Sequence, residues 1–419
     1  MPSISAESSD GVRAAGESRL ARTMSRPAAQ RILLLGYLLY TAWFMRATTL
    51  IPHSIWARAS LAAYCVALVV TFVPRWRHRA FVVAFVGSCL VPLVWMTFLD
   101  LGQPEVGVLV DGARSLLDRG TPYESSPNSL SEVRPYLPLL FVVGMPRALG
   151  LPGFVADPRI VSLMASLVFL AWMRRAVGRQ TLAQEGLSWA LLALPLFTLT
   201  LSVSAIDIPI VVALGVALVL LHRGRLAGAA CATAAAMLMK PTALVLAAVV
   251  VVALWRSGQR RGSVQFAAMV IVGCSAVLGP LLIRDRQGLW FNAFAFPAGL
   301  THIASPAQGP FPGVFIAHHW AEGPIIAIAL TAAALLGCLA YAWLRPAANA
   351  TAIANRVAVA LSLAVLLAPN SRAGYFVLPV ALWAIGRALS ARRAAPERIR
   401  AGRRRGRLRW LGRPAPRLR

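Results

Sequence analysis

The sequence predicts an all-α protein, a polytopic bundle of transmembrane helices. Three observations predict it. The chain is 58% hydrophobic and 14% charged over 419 residues, where a soluble domain carries about a quarter charged residues. Apolar runs of about 15–22 residues recur along it, which is the length a helix needs to cross a bilayer. The runs are continuous rather than alternating, which argues against a barrel, the other structure that satisfies its backbone in lipid.

In chain order, a polar tail over 1–31 reads as a disordered cytoplasmic segment, too long and too polar for a cleavable signal. Spans follow near 32–50, 58–74, 80–99, 159–173, 187–204, 208–222, 226–240, 242–255, 264–283, 322–344, 352–368 and 373–390. The membrane domain is thus 32–390, with about twelve spans. A further apolar piece, 136–149, is short and holds Pro138 and Pro146. A basic tail over 391–419 closes the chain.

The net charge of +27 is concentrated toward the C-terminus, in a run such as Arg403, Arg404, Arg405, Arg407 and Arg409. No stacking platform or nucleic-acid motif accompanies it, so nucleic acid is not the expected partner. A cytoplasmic tail touching anionic membrane lipids fits better. Cys65, Cys89, Cys231, Cys274 and Cys338 all fall in apolar runs without metal-ligand spacing. They read as small buried residues.

The basic clusters set a topology. Arg75, Arg77 and Arg79; Arg174, Arg175 and Arg179; Arg223 and Arg225; Arg256, Arg260 and Arg261; Arg345; and the tail all fall inside if 136–149 dips into the membrane and returns. Both termini are then cytoplasmic. Asp100, Glu105, Asp111, Asp118, Glu124, Glu132, Asp157, Asp207, Asp285 and Glu322 fall outside. A second outer segment runs from Arg284 to about Ala321. No internal repeat is evident, which weighs against a secondary transporter.

The first outer loop, 100–134, is a polar island. After Pro104, apolar residues recur at Val106, Leu109, Val110, Ala113, Leu116 and Leu117. That spacing predicts an amphipathic helix in the interface plane. Gly120 and Thr121-Pro122 end it. Asp111, Arg114, Ser115 and Asp118 take the watery face. Glu105 sits at the helix start, on the border of the apolar stripe. Partial desolvation there suits a general base, and the helix dipole alone would also favour an acid there. Tyr136, between Pro135 and Pro138, reads as a rigid edge or an interfacial anchor.

Charges elsewhere in so apolar a chain are functional candidates. Lys240 precedes Pro241 at a helix break, or snorkels to the surface. Asp207 caps the next helix or points into a cavity. Arg284 and Arg372 lie at outer helix ends, where a guanidinium can hold a phosphate in bidentate fashion. His302 lies in the second outer segment. No His/Asp group has metal spacing, and no cofactor is expected.

Several of these motifs, in order, resemble one family. They are Gly120-Thr121-Pro122-Tyr123 after the amphipathic helix, Pro135-Tyr136-Leu137-Pro138, Asp207-Ile208-Pro209, Lys240-Pro241, Phe296 to Leu300, Ser305-Pro306-Ala307, Pro312-Gly313 and Ala368-Pro369 to Gly374-Tyr375. Together they resemble glycosyltransferase family 87, polyprenol-phosphate-sugar-dependent mannosyltransferase-like proteins of actinobacteria with the GT-C fold. The resemblance spans about 100 to 385.

It implies a plasma-membrane enzyme that moves a sugar from a polyprenyl-phosphate donor to a lipid or glycan acceptor outside the cytoplasm. It also implies an acidic catalytic base in the first outer loop. By motif position that base is Glu105, where the family usually has Asp, with Asp100 or Asp111 behind it. Tyr123, Tyr136, Asp207, Lys240, Arg284, His302 and Arg372 are the expected substrate-binding residues. A lipid or sugar transporter and a non-catalytic scaffold are the other readings.

Overall fold

The computed structural model describes residue 23, residues 26–178 and residues 182–390. The basic tail from 391 onward, most of the N-terminal tail and Arg179 lie outside the described residues. Every regular element among the described residues is helical, with one isolated parallel bridge between Gln308 and Ser371.

The first helix, α1 (Pro27–Ala47), starts earlier than Ile32. Proline at its first position has no backbone N–H to leave unsatisfied. Part of the predicted disordered tail is therefore helix. α2 (Ile51–Val70) and α3 (Arg77–Phe98) follow. Next come the amphipathic α4 (Pro104–Arg119), a short α5 (Pro138–Ala148), α6 (Pro158–Val177), α7 (Leu182–Leu192) and α8 (Pro195–Val203). The second half holds α9 (Asp207–His222), α10 (Leu226–Met237), α11 (Pro241–Arg256) and α12 (Arg260–Arg284). It ends with α13 (Arg286–Trp290), α14 (Pro312–His319), α15 (Gly323–Leu344), α16 (Ala350–Leu367) and α17 (Ala373–Ser390).

Six of these are long and apolar enough to cross a membrane: α2, α3, α12, α15, α16 and α17. A seventh results if α7 and α8, bent by 53° at their junction, form one span. The chain is an α-helical membrane protein. Six or seven spans meet the length and composition requirement, against about twelve expected. The difference has two sources. α1 and α6 are long but carry arginines within their ends, and α9, α10 and α11 are shorter. α5 reaches about 17 Å at 1.5 Å per residue, short of a hydrocarbon core of about 30 Å.

Small residues let the helices approach closely. α10 buries Ala229, Ala230, Ala234 and Ala236 in the largest core, which it shares with α9, α11, α12, α16 and α17. A Cβ on Gly215 of α9 would strike the Phe169 ring of α6. In a smaller core, buried phenols find carbonyls at the end of α7. Tyr37 donates to Ala190 and Tyr64 to Ala193, each at 2.8 Å. Such partners are what keep a tyrosine tolerable in an apolar interior.

The predicted amphipathic helix is present, and Gly120 ends it in the left-handed region at φ 69°. Its apolar face buries Val106, Leu109, Val110 and Ala113 as expected, while Leu117 is exposed. That face packs on α5. A Cβ on Gly112 would collide with Phe141, and one on Gly144 with the Leu109 carbonyl. α5 is tied in turn to the end of α10. Leu137 and Leu139 donate their N–H groups to the carbonyls of Met239 and Leu238 at 3.1 and 3.0 Å. These carbonyls, at and just past the end of α10, lie where a helix leaves its last acceptors unpaired.

Candidate functional site

The start of α4 carries the first group. Gln103 N–H donates to the Val203 carbonyl at 2.9 Å, which fixes the helix entrance to the end of α8. One residue into the helix, Glu105 accepts a 2.6 Å bond from Arg372. Both side chains are largely buried, at 17% and 30% exposure. Arg372 is placed by its own segment. The Ser371 N–H donates to Ala307, and its carbonyl accepts from Gly309, so the chain before Arg372 is pinned.

A second ion pair lies alongside. Lys240 Nζ donates to Asp207 at 2.8 Å. Lys240 occupies the break between α10 and α11, and Asp207 the first residue of α9. Tyr375 connects the two pairs. Its ring lies 4.3 Å from Lys240 Nζ and 5.4 Å from the Arg372 guanidinium carbon. Both cations thus sit against one aromatic ring, a favourable placement for positive charge.

Tyr136 is buried among these charges. Burial, then the Glu105 carboxylate, pushes its phenol well above the ordinary range. Tyr123 supports it from behind by donating to the Tyr136 carbonyl at 2.9 Å. For Arg372, burial works against the charge, but Tyr375, Glu105 and Tyr136 outweigh it. They hold the guanidinium above its ordinary range. His53, at the start of α2, completes the rim. Its ring nitrogens meet Thr48 Oγ1 at 2.9 Å and Gln103 Nε2 at 2.7 Å.

Five residues expected from the sequence therefore converge: Glu105, Tyr136, Asp207, Lys240 and Arg372. Tyr123 acts through Tyr136. The others lie apart. Asp100 is exposed, and both of its carboxylate oxygens accept from Arg147 Nη2, at 2.7 and 2.8 Å. Asp111 faces Arg114 at 3.5 Å and Arg134 at 3.7 Å, on the solvated side of α4. His302 stands 5.9 Å from the Phe291 ring. Arg284 lies against Gly120, at the other end of α4 from Glu105. Fifteen residues at 1.5 Å each put roughly 22 Å between Glu105 and Gly120.

His53 and Gln103 were not singled out from the sequence. Both are neutral polar groups at helix ends, where polarity is common. The pinning of the outer segments was also hidden. Asp285 accepts from Thr121 at 2.6 Å and Ser125 at 3.1 Å, and it caps α13 through Gly288. Asn292 accepts from the Arg134 N–H at 2.7 Å and donates to the Glu124 carbonyl. The signal was faint: one aspartate after a long apolar run.

The arrangement offers a carboxylate and two cations around a shared ring, at helix ends rather than mid-helix. Both pairs are internally compensated, which is what makes burial tolerable. An incoming anion would compete with the carboxylates for Arg372 and Lys240. Among the described residues, no three His, Cys, Asp or Glu side chains converge on a metal-sized site. No family model, curated protein or solved structure matches the chain.

Proposed function

We propose that the protein is an integral membrane glycosyltransferase of the GT-C type, similar to family 87. It moves a sugar, most simply mannose, from a polyprenyl-phosphate donor to an extracytoplasmic lipid or glycan acceptor. The membrane domain has twelve spans in this reading, with α5 re-entrant, both termini cytoplasmic and the Glu105 cluster on the outer side of the plasma membrane. The observation that carries the reading is the pairing of Glu105 with Arg372 beside Lys240. One group can take a proton, and two can hold a phosphate.

The chemistry follows from those roles. Glu105 accepts the proton of the acceptor hydroxyl. The acceptor oxygen bonds to the anomeric carbon as the bond from that carbon to the phosphate oxygen breaks. The electron pair leaves with the polyprenyl phosphate, and configuration inverts. A phosphate leaving group needs charge stabilisation more than protonation, and Arg372 and Lys240 supply fixed positive charge where it develops. Arg372 then has two partners in turn. It holds Glu105 in the resting state and the phosphate during transfer, which releases Glu105 to act as base.

A transporter reading needs charged groups along a path through the bilayer. Asp207, Lys240, Glu105 and Arg372 instead gather at helix starts and breaks. The test is consumption of labelled polyprenyl-phosphate mannose by the purified protein. Wild type should turn over, and Glu105→Gln should lose at least about a hundredfold in rate at unchanged expression. Full activity in that variant would remove Glu105 from the base role. No consumption by wild type, with any acceptor extract, would sink the reading.

A further inference from the structure

A second site lies at the far end of α4. An open groove of about 290 Å³ runs between α4, α5 and α12. Its walls are Leu116 and Gly120, then Pro138, Leu139 and Val142, then Val277, Pro280 and Leu281. The lining is apolar except at one end, where the Arg284 guanidinium stands. Arg284 is exposed, and it has no carboxylate or hydrogen-bond partner among the described residues. The neighbouring carboxylate is unavailable, since Asp285 is buried and already accepts from Thr121, Ser125 and Gly288.

The groove has the polarity of a lipid. α12 is a candidate membrane span, and Arg284 is its last residue. From Val277 to Arg284 the helix rises about 10 Å. A headgroup at the helix end would meet Arg284, and its chains would descend past Leu281 and Val277. Gly120 permits the approach, because a side chain there would press on the guanidinium from 3.2 Å.

We infer that this groove binds an anionic membrane phospholipid, with its phosphodiester on Arg284 and a chain along α12. The occupant is not the glycosyl donor. In that donor the sugar is bonded directly to the phosphate, so a phosphate on Arg284 would leave the sugar roughly 20 Å from Glu105. The bound lipid would clamp the C-terminal end of α4 to α12. The inference goes beyond the proposed transfer, and only the exclusion of the donor rests on that reading.

The experiment is native mass spectrometry of the full chain, delipidated in detergent and titrated with phosphatidylglycerol or phosphatidylcholine. Wild type should retain one phosphatidylglycerol that Arg284→Gln binds about tenfold more weakly or worse, as expected for losing a charge-assisted contact. Phosphatidylcholine should show no such difference. Leu139→Trp narrows the groove and keeps the charge, so it should also lose that lipid. Equal retention by wild type and both variants overturns the inference. So does recovery of a polyprenyl phosphate, rather than phospholipid, as the retained species. Each variant is read at matched monodispersity, and unchanged binding of other lipids separates site loss from misfolding.

Discussion

The helices α9 and α11 begin and end in different chemistry. At their starts stand Asp207 and, just before Pro241, Lys240, closed into an ion pair beside Tyr375. At their ends stand Arg223 and Arg256, which meet aromatic rings rather than acids. Arg223 lies over Trp172 and Arg256 over Trp343. Arg31 over Phe72 and Arg260 over Trp255 repeat the second pattern. One end compensates its cations with carboxylates inside the protein. The other displays them on aromatic surfaces. The lesson is that a cation costs little at either end but does different work. At one end the cations are largely buried and paired, and at the other they are exposed and stacked on rings.

The largest expected effect falls on the paired end. Arg372→Ala removes the partner of Glu105 and one of the two proposed phosphate holders. Transfer should fall by two orders of magnitude or more, the scale seen when a preorganised charge is removed. Arg372→Lys keeps charge but loses the planar fork, so it should recover only part. Rates measured at saturating donor separate lost catalysis from lost binding. If Arg372→Ala keeps wild-type rates, the two pairs are structural.

Next in size is the Lys240–Asp207 pair. Lys240→Met leaves a buried carboxylate alone, which costs about 3 kcal/mol. Adding Asp207→Asn should return most of that stability, because no uncompensated charge then remains. Unfolding midpoints in detergent for the two singles and the double measure the coupling. Additive losses would mean that the pair contributes nothing as a pair.

Much of this end was legible in the sequence. Charges are so costly in an apolar chain that Lys240, Asp207, Glu105 and Arg372 stood out individually. The period of Val106, Leu109, Val110 and Ala113 gave α4, and Gly120 gave its end. The pairing was not legible. Glu105 meets a residue 267 positions away, and a single sequence holds no record of that. The apolar stripe of α4, expected to lie in the interface plane, packs against α5, and Gly112 and Gly144 signal that close approach only once both helices are placed. His53 and Gln103 were invisible for a simpler reason, as neutral polar groups carry no desolvation alarm. The buried Asp157–Arg159 pair is compatible with Asp-Pro-Arg at a helix start, but that tripeptide alone does not announce it. Asp157 caps α6 through the Arg159 N–H and holds the Arg159 guanidinium at 2.7 Å. Six or seven helices meet the length and composition of a span, while α9, α10 and α11 are shorter apolar helices that a hydropathy reading counts among the twelve.

A smaller effect tests how the site end is held. Ala205, two residues before Asp207, has φ 55°, a left-handed conformation that side chains avoid. Its N–H donates to the Thr200 carbonyl at 2.7 Å, closing the turn that aims Asp207. Strain of this kind costs about 1 kcal/mol. Ala205→Gly should therefore raise stability by somewhat under about 1 kcal/mol, since glycine also loosens the unfolded chain. A lower unfolding midpoint would mean that the buried methyl contributes more than the strain it carries.

The smallest effect belongs to the opposite end. Arg256 donates to the Trp343 carbonyl at 3.0 Å and stacks at 5.3 Å over its ring. Both contacts are exposed, so Arg256→Ala should cost about 0.5 kcal/mol in detergent and leave transfer rates unchanged. The same substitution should matter more in bilayers containing anionic lipid, where the arginine gains about 1 kcal/mol of attraction near the surface. Comparing unfolding in neutral and anionic nanodiscs reads that difference directly. A large loss of stability in plain detergent would mean that Arg256 is part of the fold rather than an anchor, and the contrast between the two helix ends would fail at its simplest point.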